Sequence, residues 1–326
     1  MLTLLLCVAS LPAPASAQRP PRMRQEDRIR LAEARRLADR VCERLWPGWG
    51  RTSFQVLLVT DSAEFLVGHA PTAEAFMPLG YDALLESEVW VRDRRFPPNL
   101  LATFPAVGGV PTVVIGTAER TGKSSTDWVL TLLHEHFHQW QTSRPDYYSG
   151  VARLDLAGGD TTGQWMLNYA FPYDSVPVQR AMRHLATALM AGRLDDVVAA
   201  RDTLRGLLSA ADYRYLEFQL WQEGAARYTE YAVARAAQTA GTPLAEYRKL
   251  PDFEPYDSAY RRRRLDLHRE LEQLDLGRSR RVAVYPVGAA LALVLEAVRP
   301  DWKQAYVRRP FELAALLPVQ ERDTTR

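Results

Sequence analysis

Leu132-Leu133-His134-Glu135-His136-Phe137-His138-Gln139-Trp140-Gln141 is the stretch on which the rest of the chain depends. It contains the pattern H-E-x-x-H, made by His134, Glu135 and His138. Positions i and i+4 of a helix lie one above the other on the same face, so His134 and His138 can offer two imidazoles to one metal ion. Glu135, next to the first of them, can reach a water activated by that ion. The geometry requires a helix, and the flanking residues predict one. Ser124, Ser125, Thr126 and Asp127 supply cap candidates and negative charge ahead of an apolar run, Trp128-Val129-Leu130-Thr131-Leu132-Leu133. Pro145 biases Arg144 away from helical backbone and stops the segment near residues 142–143. Three of the six histidines fall within this one turn. His136, two residues from His134, points to another side and is expected to be structural or supporting.

Outward from this helix, the preceding residues predict a small sheet with helices. Residues 25–45 alternate Arg and Glu with Ile29, Leu31, Leu37, Val41 and Leu45 at helical spacing. Residues 54–60, 88–92 and 111–116 read as strands, and 62–67 as the start of a short helix. Residues 121–124 end like a phosphate loop, but its first glycine would fall at Thr117, which excludes it. Two to four strands followed by the H-E-x-x-H helix predict an α+β fold.

After Pro145 the pattern is mostly helical. Residues 154–175 read as an aromatic loop (Trp165, Tyr169, Phe171, Tyr173), either lining a cleft or plugging the core. Residues 178–190 and 194–208 predict a helical hairpin about Gly192. Residues 212–239 predict one long helix containing Trp221-Gln222-Glu223-Gly224-Ala225-Ala226-Arg227-Tyr228-Thr229-Glu230. The small residues after Glu223 let another helix approach closely, at a cost in helix propensity. Glu223, Arg227 and Glu230 share a face with Leu216 and Leu220, and an acid among apolar residues needs a metal or a buried partner. The run Arg261 to Arg264 predicts a solvated helix face. Residues 286–298 are a thirteen-residue apolar segment, short for a membrane span and expected as a core helix.

A catalytic zinc usually has three protein ligands and one open position. His134 and His138 give two. Glu223 is the first candidate for the third, with Glu230 and His184 as weaker ones. Glu135 is expected as the general base, and Tyr285 or Tyr228 as the phenol that stabilises an oxyanion.

These residues carry a resemblance. Leu-His-Glu-x-x-His with a later Glu-Gly-x-Ala-x-Tyr is similar to the gluzincin metallopeptidases, in particular the bacterial peptidase MA-like group. The resemblance spans residues 132–141, 222–230 and 285–294. It implies a zincin-like fold, Zn2+ held by His134, His138 and Glu223, and Glu135 as base. In that group Tyr-x-x-Gly opens a later apolar helix. Tyr285-Pro286-Val287-Gly288 matches, which favours Tyr285 at the oxyanion. One departure stands out: thermolysin-type members have Asp four residues after the ligand Glu, where this chain has Arg227. Support for the histidines must then come from another residue, with Glu230 the candidate.

Length and composition set the frame. With 326 residues the chain can bury a substantial core. Its 41 Lys and Arg against 39 Asp and Glu leave a net charge of +2, which gives no case for nucleic-acid binding, and no nucleic-acid motif is present. Residues 1–17 read as a signal peptide: residues 2–9 are apolar and Ala15-Ser16-Ala17 fits a cleavage site, although no basic residue precedes the apolar run. Cleavage after Ala17 leaves Cys42 as the only cysteine, without an internal disulfide, and any metal must use His and carboxylate ligands. The expected organisation is therefore a leader (1–17), an α/β part ending in the H-E-x-x-H helix (18–145), a helical part carrying the third ligand (146–319) and a disordered tail (320–326). The expected protein is secreted or periplasmic, with no stable membrane span after cleavage. The expected substrate is a peptide or protein. The alternatives are a zinc-binding protein without peptidase activity and a metal-free interaction protein.

Overall fold

The computed structural model describes residues 21–69 and 75–318. The expected leader and the expected tail lie outside the described residues.

Helix α1 (Gln25–Leu45) buries the predicted apolar stripe, Cys42 included. Among the described residues, six strands then form one mixed sheet: β1 (Val56–Val59), β2 (Ala63–Val67), β3 (Met77–Asp82), β4 (Ser87–Asp93), β5 (Leu101–Val107) and β6 (Val110–Gly116), in the order β3-β4-β2-β1-β6-β5. Only β1 and β6 run parallel; the other neighbours are antiparallel. The fold is α+β, as expected.

The short helix predicted over 62–67 is a strand. Thr60 and Ala63 close a tight turn, and β2 pairs back along β1 with Phe65 opposite Leu58. Both faces of β2 are covered: Phe65 and Val67 join the main core, while Leu66 joins a smaller cluster on the far side with Leu57, Val59 and Val114. A short run buried on both faces has no alternation to mark it as a strand. The edge strands β3 and β5 are also additions to the predicted set; β3 is largely exposed and β5 half-buried, and Pro78, Gly80 and Pro105 interrupt them.

Helix α2 (Ser125–Thr142) crosses the sheet under β5 and β6. Ser124 caps it by accepting from the Asp127 amide at 3.1 Å. Almost every residue of α2 is buried, because α1 and the later helices cover the faces the sheet leaves open.

The helical half contains α3 (Tyr147–Arg153), α4 (Trp165–Asn168), α5 (Val176–Ala191), α6 (Leu194–Leu207), α7 (Ala210–Gln219), α8 (Ala225–Ala237), α9 (Tyr256–Glu272), α10 (Leu276–Ser279), α11 (Val284–Val298) and α12 (Trp302–Arg308). Helices α5 and α6 pack as the predicted hairpin, with Gly192 left-handed at the turn. The aromatic loop packs on the core: Trp165 lies against Phe218 and Tyr169 stacks on Tyr215.

Helices α7 and α8 form the predicted long rod, interrupted by a π turn at Leu220–Gly224. The helical run through α10 and α11, Leu276–Val298, is longer than the thirteen residues expected. It is long and apolar enough to cross a membrane, and 56% of its most apolar window is buried inside the fold.

Helix α11 crosses the rod at the π turn, glycine on glycine. A Cβ on Gly224 would lie 2.5 Å from the Cα of Gly288, so no larger residue fits there without moving a backbone. The close approach expected from the small residues is made by this crossing.

Candidate metal centre

Helix α2 and the π turn bring three ligand candidates to one point. His134 Nε2 and His138 Nε2 are 3.1 Å apart. Glu223 Oε2 lies 3.5 Å from the His138 nitrogen and 3.9 Å from that of His134. All three residues are largely buried, and among the described residues they form the group of histidines and carboxylates able to hold a metal ion. Two nitrogens bonded tetrahedrally to zinc at about 2.05 Å would stand about 3.3 Å apart, close to the spacing found.

The tautomers argue for a cation more strongly than the distances do. His134 Nδ1 meets Glu230 Oε1 at 2.8 Å. His138 Nδ1 meets Gln141 Oε1 at 2.6 Å. The Gln141 amide is fixed in orientation, because its nitrogen donates to the Trp221 and Gln222 carbonyls at 3.2 and 3.1 Å. Both acceptors require protons on Nδ1, so neutral rings turn two bare lone pairs on Nε2 toward each other. Only a proton or a metal ion between them relieves that contact. Accordingly, the His138 pKa is raised to about 9: burial alone would lower it, but the Glu223 carboxylate outweighs burial. Glu223 in turn is held down at about 2, with burial overcome by His138, Arg281 and His134. The donor set fits a divalent ion of the zinc type.

The π turn has a direct part in this. One extra residue in the turn lets the Ala225 amide bond to Leu220. The Trp221 and Gln222 carbonyls of this turn accept from Gln141, so the backbone that carries Glu223 also orients the amide that faces His138.

Glu135 lies on the sheet side. The Thr103 hydroxyl of β5 is 2.8 Å from its Oε2 and 2.9 Å from its carbonyl oxygen. Tyr285, on the first turn of α11, stands parallel to the His134 ring at 6.4 Å. Its hydroxyl accepts from Arg281 Nη1 at 2.8 Å, and the same nitrogen donates to Glu223 Oε1 at 3.1 Å. Burial and the neighbouring Glu223 push the phenol well above its usual pKa, so it remains a hydrogen-bond donor.

The other expectations sort as follows. Tyr228 points away from the centre and donates to Glu296 at 2.8 Å. His184 is exposed on α5, and His268 is at the surface of α9. Glu230 is not among the three converging ligand atoms; it supports His134 from behind, as its place in the sequence suggested. His136 stacks on Phe54 at 4.1 Å and bonds Gln139, and burial lowers its pKa to about 4.

The solvated reading of Arg261 to Arg264 is corrected: Arg261 and Arg264 are exposed, but Arg262 is half-buried and Arg263 is buried. Residues Ala259, Arg263, Leu267 and Leu271 form a buried i+4 stripe, and that spacing was the available signal. Thr103 and Arg281 carry no local signal, whereas Gln141 lies one turn beyond His138 on the same helix.

The mixed sheet, the helical C-terminal half and the buried His134/His138/Glu223 group are consistent with a zincin-like arrangement. No known protein family, curated protein or solved structure matches the chain.

Proposed function

We propose that the protein is a secreted or periplasmic zinc metallopeptidase that hydrolyses peptide bonds, its leader removed after Ala17. The observation that carries this reading is the 3.1 Å approach of two histidine Nε2 atoms facing the Glu223 carboxylate, with Glu135 the next residue after one of them.

Zinc held by His134, His138 and Glu223 would supply Lewis acidity and lower the pKa of water. Glu135 takes the proton of the attacking water at its carboxylate and delivers it to the leaving amine. Thr103 fixes the rotamer of that carboxylate. Tyr285, kept neutral and aimed by Arg281, donates to the oxyanion that develops on the scissile carbonyl.

Glu135→Gln tests the reading, with zinc content measured beside digestion of a mixed peptide library. Hydrolysis is expected to fall by roughly two to four orders of magnitude while about one zinc per chain remains. Undiminished hydrolysis in the variant sinks the mechanism. A wild-type protein that holds zinc and cleaves no peptide would favour hydrolysis of another amide or a silent metal site.

A further inference from the structure

The carboxylate behind His134 is itself held by a residue that none of the sequence motifs contains. Arg263 of α9 donates through Nη1 to Glu230 Oε2, and through Nη2 to Asp127 Oδ1 at 2.7 Å. Glu230 accepts from His134 Nδ1 with its other oxygen. The chain of contacts therefore begins at Asp127 and returns to His134. Both lie on α2, seven residues and two turns apart, on one face of the helix. Between them it passes through α9 and α8 and closes a ring over three helices.

Arg227 also reaches Glu230, at 3.1 Å, but its other nitrogen goes to Glu270, a half-exposed acid at the surface. Arg227 thus ties Glu230 to an acid at the surface, whereas Arg263 ties it to the ligand helix itself. Arg263 is 5% exposed, and its fork spans two carboxylates that a single ammonium could not bridge in the same geometry.

The geometry points to Arg263 as the positioning residue for the metal ligand His134: by fixing Glu230 relative to Asp127, it sets the orientation of the imidazole and thereby the affinity of the centre for zinc. This rests on the metal site being the one made by His134, His138 and Glu223. In a zinc site, the group that accepts from the far nitrogen of a ligating histidine fixes its tautomer and ring angle, and losing it costs roughly 10- to 100-fold in affinity. Here that group is a carboxylate between two arginines. Without Arg263 it would be left to Arg227, the cation that is tied to the surface.

The test is zinc affinity of the full chain, measured by competition with a chromophoric chelator. The visible absorption of the cobalt-substituted protein serves as a second readout. Arg263→Met is expected to bind zinc roughly 10- to 100-fold more weakly and to shift the cobalt bands. Arg262→Met is the control. Arg262 bonds Asp127 and Glu254 without touching Glu230, and Asp127 stays bonded to Arg263 and Ser124 in its absence, so its loss is expected to lower the melting temperature and leave zinc affinity and cobalt bands unchanged.

Wild-type affinity in Arg263→Met overturns the proposal. So does an equal loss in Arg262→Met, because α9 would then act only through general packing. If Arg263→Met does not fold, Arg263→Lys decides. It keeps the charge without the fork and is expected to weaken zinc several-fold; an unchanged affinity overturns the proposal. A wild-type chain that takes up no zinc overturns the metal centre as well, and that outcome is distinct from a wild type that binds zinc as tightly as its Arg263 variants.

Discussion

The two sides of α2 are both buried and are built on opposite terms. On one side Phe137 and Trp140 enter an aromatic cluster around Trp46, with ring centres 5.0 and 5.6 Å away; Trp302 and Tyr306 complete it at 5.1 and 5.0 Å. On the other side His134 and His138 each give their Nδ1 proton to one fixed acceptor. The aromatic side gains from area removed from water and from ring packing, neither of which depends on orientation to a few tenths of an ångström. The polar side gains little stability, since its buried charges offset their own desolvation. What it gains is direction: every hydrogen bond there restricts where two nitrogen lone pairs point. The comparison suggests a helix held in place by one face so that the other can hold an ion.

Removing one residue from each face separates the two roles. His138→Ala is expected to lower zinc affinity by at least about 100-fold, more than the loss of a supporting group costs, while the metal-free melting temperature moves less than in Phe137→Ala. Phe137→Ala is expected to cost roughly 3–5 kcal/mol in chemical denaturation, with the zinc affinity of the folded fraction close to wild type. If stability and zinc affinity fall together in both variants, the faces are not separable and the comparison fails.

The glycine crossing joins the faces' products to the rest of the site, so it sharpens the same point. In Gly288→Ala the new methyl meets the Gly224 Cα at 2.5 Å and the Leu220 carbonyl oxygen at 3.2 Å, and one of the two backbones must shift. An overpacking cost of roughly 1–3 kcal/mol is expected. Because Glu223 precedes one glycine and Tyr285 lies one turn before the other, zinc affinity should weaken along with stability. A variant that loses stability but keeps wild-type zinc affinity would show that the crossing is packing alone.

What was legible in the sequence follows the range of each interaction. The H-E-x-x-H face, the cap at Ser124 and the Glu223-Gly224 pair are local patterns, and the helical period alone places them. The supporting Glu230 was within reach because it lies two turns from Glu223 on the same rod. Arg281 and Thr103 meet the site across many residues, and nothing in their neighbours marks them; Gln141 is one turn from His138, but the carbonyls that orient its amide are far away in the chain. Strand β2 was misread because burial on both faces erases the period of two. Arg263 is the intermediate case: four consecutive arginines look like a wet surface until the i+4 stripe of Ala259, Leu267 and Leu271 is set beside them.

The smallest expected effect comes from a second buried carboxylate on the same rod. Glu230 lies between Arg227 and Arg263, which overcome its burial and hold its pKa well below the usual carboxylate range. Glu217, on α7, makes no ion pair among the described residues, and Arg201 is the smallest of the influences on it. It accepts from the Tyr213 hydroxyl at 2.8 Å and the Ala314 amide at 2.9 Å, and burial outweighs both, raising its pKa from the ordinary 4.5 to about 7. The sign of the linkage follows from the higher folded value. Below about pH 4.5 the group is protonated in both states and contributes no pH dependence. Between about 4.5 and 7 the unfolded chain releases the proton more readily, so stability falls as pH rises; above about 7 the loss is complete. Glu217→Gln removes the titration. Its single amide oxygen cannot serve both donors as well as the two oxygens of the carboxyl group do, so the variant is expected to be somewhat less stable than wild type at pH 4.5. By pH 8 it should recover on the order of 1–3 kcal/mol relative to wild type. Denaturant titrations of both proteins at the two pH values check this. A difference between them that does not change with pH would mean that Glu217 ionises in the folded protein as easily as in the unfolded chain, and that the partner groups on α7 and near Ala314 do for it what the arginines do for Glu230.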